Sequence, residues 1–261
     1  MNKKEQVIKV LLTPINVTGY SGKDGVSIKK TENCIETTQT YYPYKSYDIN
    51  IDPDMSDFAI GFYEIIYKDI LDFPMLNSSD TLSDVEFAGD TMNTFNTIAN
   101  RVPEAGKSRK CRTPISEWPE YLQRYYFQYH CLANFWILPM IVGRKIDDEY
   151  CKGYYDKFAS DGGIQDYIDR FIQKLEGSFD KYKESYVGYF NKIPSLDVFF
   201  TSHILNGSYV NNGEVLSFSN YEPIKFVSSA TDMIEKRANA IGDSKYMDEL
   251  WEFFNSYGLF D

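Results

Sequence analysis

The sequence predicts a mainly α protein, a single compact helical domain with a minor β element or hairpin, and three observations carry that expectation. Apolar residues recur at three- and four-residue steps through most stretches after residue 57. Prolines, serines and glycines bracket those stretches where helices start and stop. Strict alternation of apolar and polar residues is confined to a few positions. The 261 residues are 43% hydrophobic and 16% aromatic, enough for a sizeable core. Because 22 Tyr and 18 Phe carry the aromatic share, and Tyr keeps a polar tip near water, a Tyr-lined core boundary is expected.

Taken in order, residues 1–50 read as a loosely packed N-terminal arm and 51–261 as the helical domain. Val7 to Leu12 is apolar without a decisive period, and the stretch to Thr40 is rich in Lys, Thr, Asn and Gly. Tyr47, Ile49 and Ile51 alternate with polar residues as a short strand would. From Asp57, a stripe of Phe58, Phe62, Ile65, Ile66 and Ile70 predicts a helix that stops before Pro74. A second helix is expected from Asp90, with Met92, Phe95, Ile98, Ala99 and Val102 at the same period. A third begins at Ser116 with Pro119 in its first turn and Leu122, Tyr125, Tyr126 and Tyr129 facing inward. Cys131 to Val142, the most hydrophobic run, reads as the central core segment. Ile164, Tyr167, Ile168, Phe171, Ile172 and Leu175 form one face of a helix over 164–176. Further helices are expected over 179–190, 195–205, 223–241 and 245–257, the last closed by Gly258. Asn211 to Gly213 sits between apolar residues as in a small hairpin over 209–216.

The formal net charge of −11 works against a long basic groove for nucleic acid and suits solubility or a basic protein surface. Cys34, Cys111, Cys131 and Cys151 form no C-x-x-C pair, so reduced thiols and a cytoplasmic location are expected. Met1 to Gln6 is charged, and no run reaches the roughly 18 apolar residues of a membrane span. Neither export nor a membrane partner is expected.

Candidate chemistry is sparse. P-loop, H-E-x-x-H, G-x-S-x-G, G-x-G-x-x-G and EF-hand patterns are missing from the sequence, and no metal or cofactor is called for. Phe87 to Phe95 places Gly89, Asp90 and Asn93 at an expected helix N-terminus, either as an anion cradle or as an Asp90 cap. Only His130 and His203 are imidazoles. His130 and Asn134 share a face if the helix continues, or His130 is a half-buried histidine satisfied by a carbonyl. His203 lies on the Leu196, Phe199, Phe200 face and reads as a packed core residue. Lys107, Arg109, Lys110 and Arg112 make one dense basic cluster, read as a solvated loop.

Arg124 and His130 stand in an R-x5-H spacing that resembles the signature of the HEPN ribonucleases, helical proteins that cleave RNA without metal. That resemblance implies catalytic roles for Arg124, stabilising phosphate charge, and His130, moving protons. A second resemblance rests on FAGDTMNTF (87–95), YHCLANFWILP (129–139) and IDRF (168–171), and covers roughly residues 48–210. In these the chain is similar to a family of uncharacterised bacterial proteins, a domain of unknown function. Ala133 stands where that family shows Gly, and Gly143-Arg144 where it shows an Asn and an Arg-Gly pair. The resemblance implies a bacterial intracellular origin and ligand-binding positions at Asp90, Asn93, His130, Asn134, Arg144, Asp169 and Arg170. Two functions are therefore carried forward. The first is a binding or regulatory protein acting through a protein partner. The alternative is a metal-independent ribonuclease, with RNA as partner, in a stress or phage-defence setting.

Overall fold

The computed structural model describes residues 1–21, 25–40, 53–70, 87–92, 112–139, 145–146, 149–150, 191–205 and 223–260. Helix α1 (Lys3–Leu11) opens with a capping box. The Glu5 N–H donates to the Asn2 side chain at 2.9 Å and the Asn2 N–H donates back to the Glu5 carboxylate at 3.0 Å, satisfying two of the donors a helix start leaves open. Three strands follow, β1 (Ile15–Tyr20), β2 (Ile28–Lys30) and β3 (Ile35–Gln39), in the order β1-β3-β2. The β1 and β3 strands run parallel with a register shift at Val17/Gly19, and β2 is antiparallel to β3. On β3 Ile35, Thr37 and Gln39 are buried while Glu36 and Thr38, on the other face, are half-buried, the period-two alternation of a strand.

Within the stretch read as a loose arm, the described residues 1–21 and 25–40 instead form a helix and three strands. Val7, Leu11 and Ile35 are fully or almost fully buried and belong to the same hydrophobic cluster as the C-terminal helices.

Helix α2 (Asp57–Ile66) has the predicted stripe, with Phe58, Phe62 and Ile66 buried and Ser56 accepting from the Ala59 N–H as its cap. Its first residue ties it to the sheet. The buried Asp57 carboxylate accepts from the Thr38 hydroxyl at 2.7 Å, the Thr40 N–H at 2.7 Å and the Thr40 hydroxyl at 2.6 Å.

Strand β4 (Phe87–Thr91) pairs antiparallel with β5 (Phe135–Pro139), Asp90 standing opposite Trp136. The expected helix start at Asp90 is thus a strand, and Gly89 has a different purpose from freeing a turn. A Cβ there would lie 2.2 Å from the Asp54 carbonyl oxygen and 2.8 Å from the Tyr63 hydroxyl, so only glycine lets β4 press against the Pro53–Met55 turn.

Helix α3 (Glu120–Gln128) begins after Pro119, while Ile115–Glu117 is a 3₁₀ turn, so the third helix starts later than Ser116. Leu122 and Tyr125 are buried on it and Tyr126 is half-buried. Of the predicted core run, residues 131–137 are all buried, built as a 3₁₀ turn (Leu132–Asn134) leading into β5, and residues 140–142 lie outside the described residues. A two-residue pair follows, β6 (Lys145–Ile146) with β7 (Glu149–Tyr150).

Helices α4 (Leu196–Ser202), α5 (Pro223–Gly242) and α6 (Met247–Ser256) lie where periodicity placed them. α1 packs on both α5 and α6, and α3 on α5. Gly61 lets α2 approach α6, because an added Cβ would meet the Phe253 ring at 2.5 Å, and Phe58 stacks on Phe253 with centroids 5.8 Å apart.

The described residues therefore hold six helices together with a mixed three-stranded sheet and two further strand pairs. This is an α+β arrangement, which corrects the mainly α expectation. No described helix is long and apolar enough to cross a membrane. The expected strand at 47–51, the helices at 164–176 and 179–190 and the hairpin at 209–216 lie outside the described residues.

Asp57→Ala strands three donors at the buried joint between β3 and α2. It is expected to cost roughly 2–4 kcal/mol, read as a lower urea midpoint at unchanged slope, with Thr38→Val costing distinctly less.

Candidate functional site

Chain direction brings several helix ends to one place. α2 leaves through the Tyr67–Ile70 turn, α4 stops at His203, and α5 turns through Asp243 and Tyr246 into α6. Beneath them lies a buried polar knot. The Tyr67 hydroxyl sits 2.7 Å from His203 Nδ1, and the His203 ring is fully buried among Phe199, Tyr67 and Trp136, with centroids at 4.3, 5.3 and 5.5 Å. Burial pushes the Tyr67 phenol up to about 12 and holds the His203 imidazole well below its ordinary value, so both are neutral. Arg237 of α5, also fully buried, donates from Nε to the His203 carbonyl at 2.9 Å. Its Nη1 donates to the Ala133 and Phe135 carbonyls at 3.0 and 2.5 Å.

The knot fixes an unusual chain reversal. After α4 the Leu205 N–H donates to the Phe200 carbonyl and the Ile204 N–H to the Thr201 carbonyl, the bond pair of a Schellman cap. The residue after the cap must then be left-handed, and Ile204 takes φ 54° there. α6 ends with the same bond pair, from Leu259 to Phe254 and from Gly258 to Asn255, but with glycine at φ 63°. A β-branched residue in that region costs about 1–2 kcal/mol, and Ile204 is held in it by burial, at 6% exposure.

Over this reversal opens a pocket of about 630 Å³, within the roughly 300–1,000 Å³ usual for ligand sites. Its apolar surface comes from Ile70, Val198, Ile204 and Ala240, and it carries three carboxylates, Asp69, Asp197 and Asp243, against one ammonium, Lys245. Lys245 Nζ lies 2.5 Å from Asp69 and the Tyr246 hydroxyl donates to the same carboxylate at 3.1 Å. These two donors, the lysine foremost, hold Asp69 below the usual carboxylate range. Asp243 pairs with Lys4 at 2.5 Å. The carboxyl ends of α2 and α5 meet the pocket and add partial negative charge, opposed by the amino end of α6, while the short α4 lies along it with both ends. The site is electrically suited to a cation.

No family model, curated protein or solved structure matches this chain.

The sequence-predicted residues lie elsewhere. Arg124 is exposed on α3 and pairs with Glu235 of α5. His130 follows the end of that helix, its ring 3.8 Å from that of Tyr129, while its carbonyl accepts from the Ile15 N–H at 2.8 Å. The two side chains thus take separate partners. Asn134 is fully buried and donates to the Tyr129 carbonyl at 2.7 Å, while its own carbonyl accepts from the Met92 N–H, which makes it a latch between β4 and the 3₁₀ turn. Asp90 is a strand residue. Asn93, Arg144, Asp169 and Arg170 lie outside the described residues.

Sequence reasoning missed Asp69, Asp197, Ser202 and Asp243. One signal was present, since Asp69 and Asp243 stand just past helix carboxyl ends, where an acid opposes the dipole and asks for another reason.

Burial lowers the His130 imidazole to about 4, so between pH 6.5 and 4 the unfolded chain binds a proton that the folded chain refuses. Stability is accordingly complete above pH 6.5 and falls as the pH drops toward 4, His130 contributing on the order of 3 kcal/mol and His203 acting in the same direction. Urea unfolding at pH 7 and 4.5 should show a smaller drop for His130→Phe than for the wild type. Equal drops would contradict this account.

Proposed function

We propose that this is an intracellular bacterial binding or regulatory protein, cytoplasmic, that works through protein–protein interaction and receives a basic segment of its partner at the pocket between α2, α4 and the α5–α6 corner. The observation that carries the reading is the pocket's wall, where Asp69 and Asp243 are held by Lys245 and Lys4 and Asp197 adds a carboxylate with no ion-pair partner among the described residues. The net charge of −11 favours encounter with a basic surface and gives the complex a dependence on salt. Cys34 and Cys131 are free thiols, the state expected of a reducing compartment, and the segments similar to a bacterial family suggest the source.

The test is affinity purification of the tagged protein from a bacterial lysate beside an Asp197→Lys, Asp243→Lys variant. The wild type is expected to retain one stoichiometric basic protein that the charge-reversed variant loses at the same salt. Identical recoveries by both, or no partner at all, would overturn the reading. RNA recovered instead, degraded by the wild type and intact with His130→Ala, would favour the ribonuclease alternative on Arg124 and His130.

A further inference from the structure

Resting on that reading, we infer that the segment entering the pocket carries an apolar anchor residue flanked by arginine, the anchor seated on the floor and the arginine paired with Asp197 at the rim. The charges are not equivalent. Lys245 already holds Asp69 and Lys4 already holds Asp243, whereas Asp197 has no ion-pair partner among the described residues. An incoming cation therefore finds one open carboxylate, on the exposed first turn of α4.

The floor asks for something else. Val198 and Ile204 from the α4 side, with Ile70 and Ala240 facing them, make it chiefly apolar, so a guanidinium or ammonium pushed down to it would lose water without gaining a partner. An apolar side chain gains there, while its flanking cation stays at the wet rim. One polar group interrupts the floor. Ser202 is only 5% exposed and lines the pocket, yet its hydroxyl makes no hydrogen bond among the described residues.

Its oxygen is not sealed off but opens onto the cavity, so a bound segment would replace water there. Directed into the cavity, the hydroxyl fits a main-chain N–H or carbonyl of a bound segment beside its anchor. Asp197 and Ser202 lie five residues apart on α4, roughly 7.5 Å along its axis and about 140° around it, and since both line the pocket a peptide lying across the helix can meet both. Arginine suits the rim better than lysine because its planar fork pairs with a carboxylate through two parallel N–H donors.

The experiment is titration of the full chain with acetylated, amidated peptides at low salt, followed by NMR shifts. The probes are Arg-Leu-Arg, Arg-Gly-Arg and Glu-Leu-Glu, and the proteins are wild type, Asp197→Asn and Ala240→Phe, the last filling the floor without touching a charge. Arg-Leu-Arg is expected to bind the wild type about tenfold or more tighter than Arg-Gly-Arg, to weaken roughly threefold in Asp197→Asn, and to lose its advantage over Arg-Gly-Arg in Ala240→Phe. Glu-Leu-Glu should not bind. Equal binding of the two arginine peptides, or an advantage untouched by Ala240→Phe, overturns the anchor while leaving a basic partner in place. Binding by neither peptide overturns the anchor as well. The broader reading instead stands or falls with the charge-reversed purification.

Discussion

The fold depends on a charge buried without a counter-charge. Arg237 is fully enclosed, and its hydrogen bonds run to three main-chain carbonyls, of Ala133, Phe135 and His203, with the Tyr67 phenol close enough to feel its charge. A guanidinium stays protonated at any accessible pH, so its desolvation must be met by dipoles. The carbonyls it chooses belong to the turn before β5, to β5 itself and to the cap of α4, so one side chain from α5 sets the relative positions of all of these. Each carbonyl is in turn one that regular structure leaves open, at a strand's start or a helix's end. Arg237 thus solves two problems together. It satisfies acceptors that would otherwise be buried and bare, and they offset part of the cost of its own burial, its Nη2 remaining without a hydrogen-bond partner among the described residues.

The geometry of the pocket follows from that constraint. With the His203 carbonyl held by Arg237 and its ring by Tyr67, the chain after α4 has little freedom, and the left-handed step falls on Ile204. The contrast with Gly258 at the end of α6 shows what the step normally requires. Glycine at position 204 would relieve the backbone but would leave the floor without its side chain, exposing part of the aromatic cluster below. The isoleucine is therefore retained against its conformational preference by what it covers, and the strain sits at the site where a ligand would touch it.

Much of the helical half could be read from the sequence because its information is local. In α2, α5 and α6 the stripe of apolar residues repeats every three or four positions and the flanking Ser56, Pro223 and Gly258 mark the ends. The N-terminal sheet could not be read so. β1 is Ile-Asn-Val-Thr-Gly-Tyr with only Ile15 buried, and its place depends on a parallel partner twenty residues on, which no window detects. β4 is hidden for a related reason. Gly89-Asp90-Thr91 imitates a helix cap, and what decides against it is the approach of Asp54 and the pairing with Phe135 and Trp136, both distant in sequence. The pocket is harder still, being assembled from residues near 69, 197 to 204 and 240 to 246. Its acids look like ordinary surface charge until three helix ends are brought together.

Among those groups, the carboxylates alone would be weak witnesses to a ligand. Asp69 and Asp243 are explained by the lysines that hold them, and Asp197, in the first turn of α4, already stabilises its own helix through the dipole. Folding gives each of the three a reason to exist. Ser202 is different, because nothing in the helix requires a hydroxyl there and an alanine would fill the same place with better helix propensity and no polar atom to bury. A hydroxyl that opens onto an acid-rimmed cavity and bonds to no described residue is available to whatever enters the cavity, and the apolar surface around it favours something other than a bare cation.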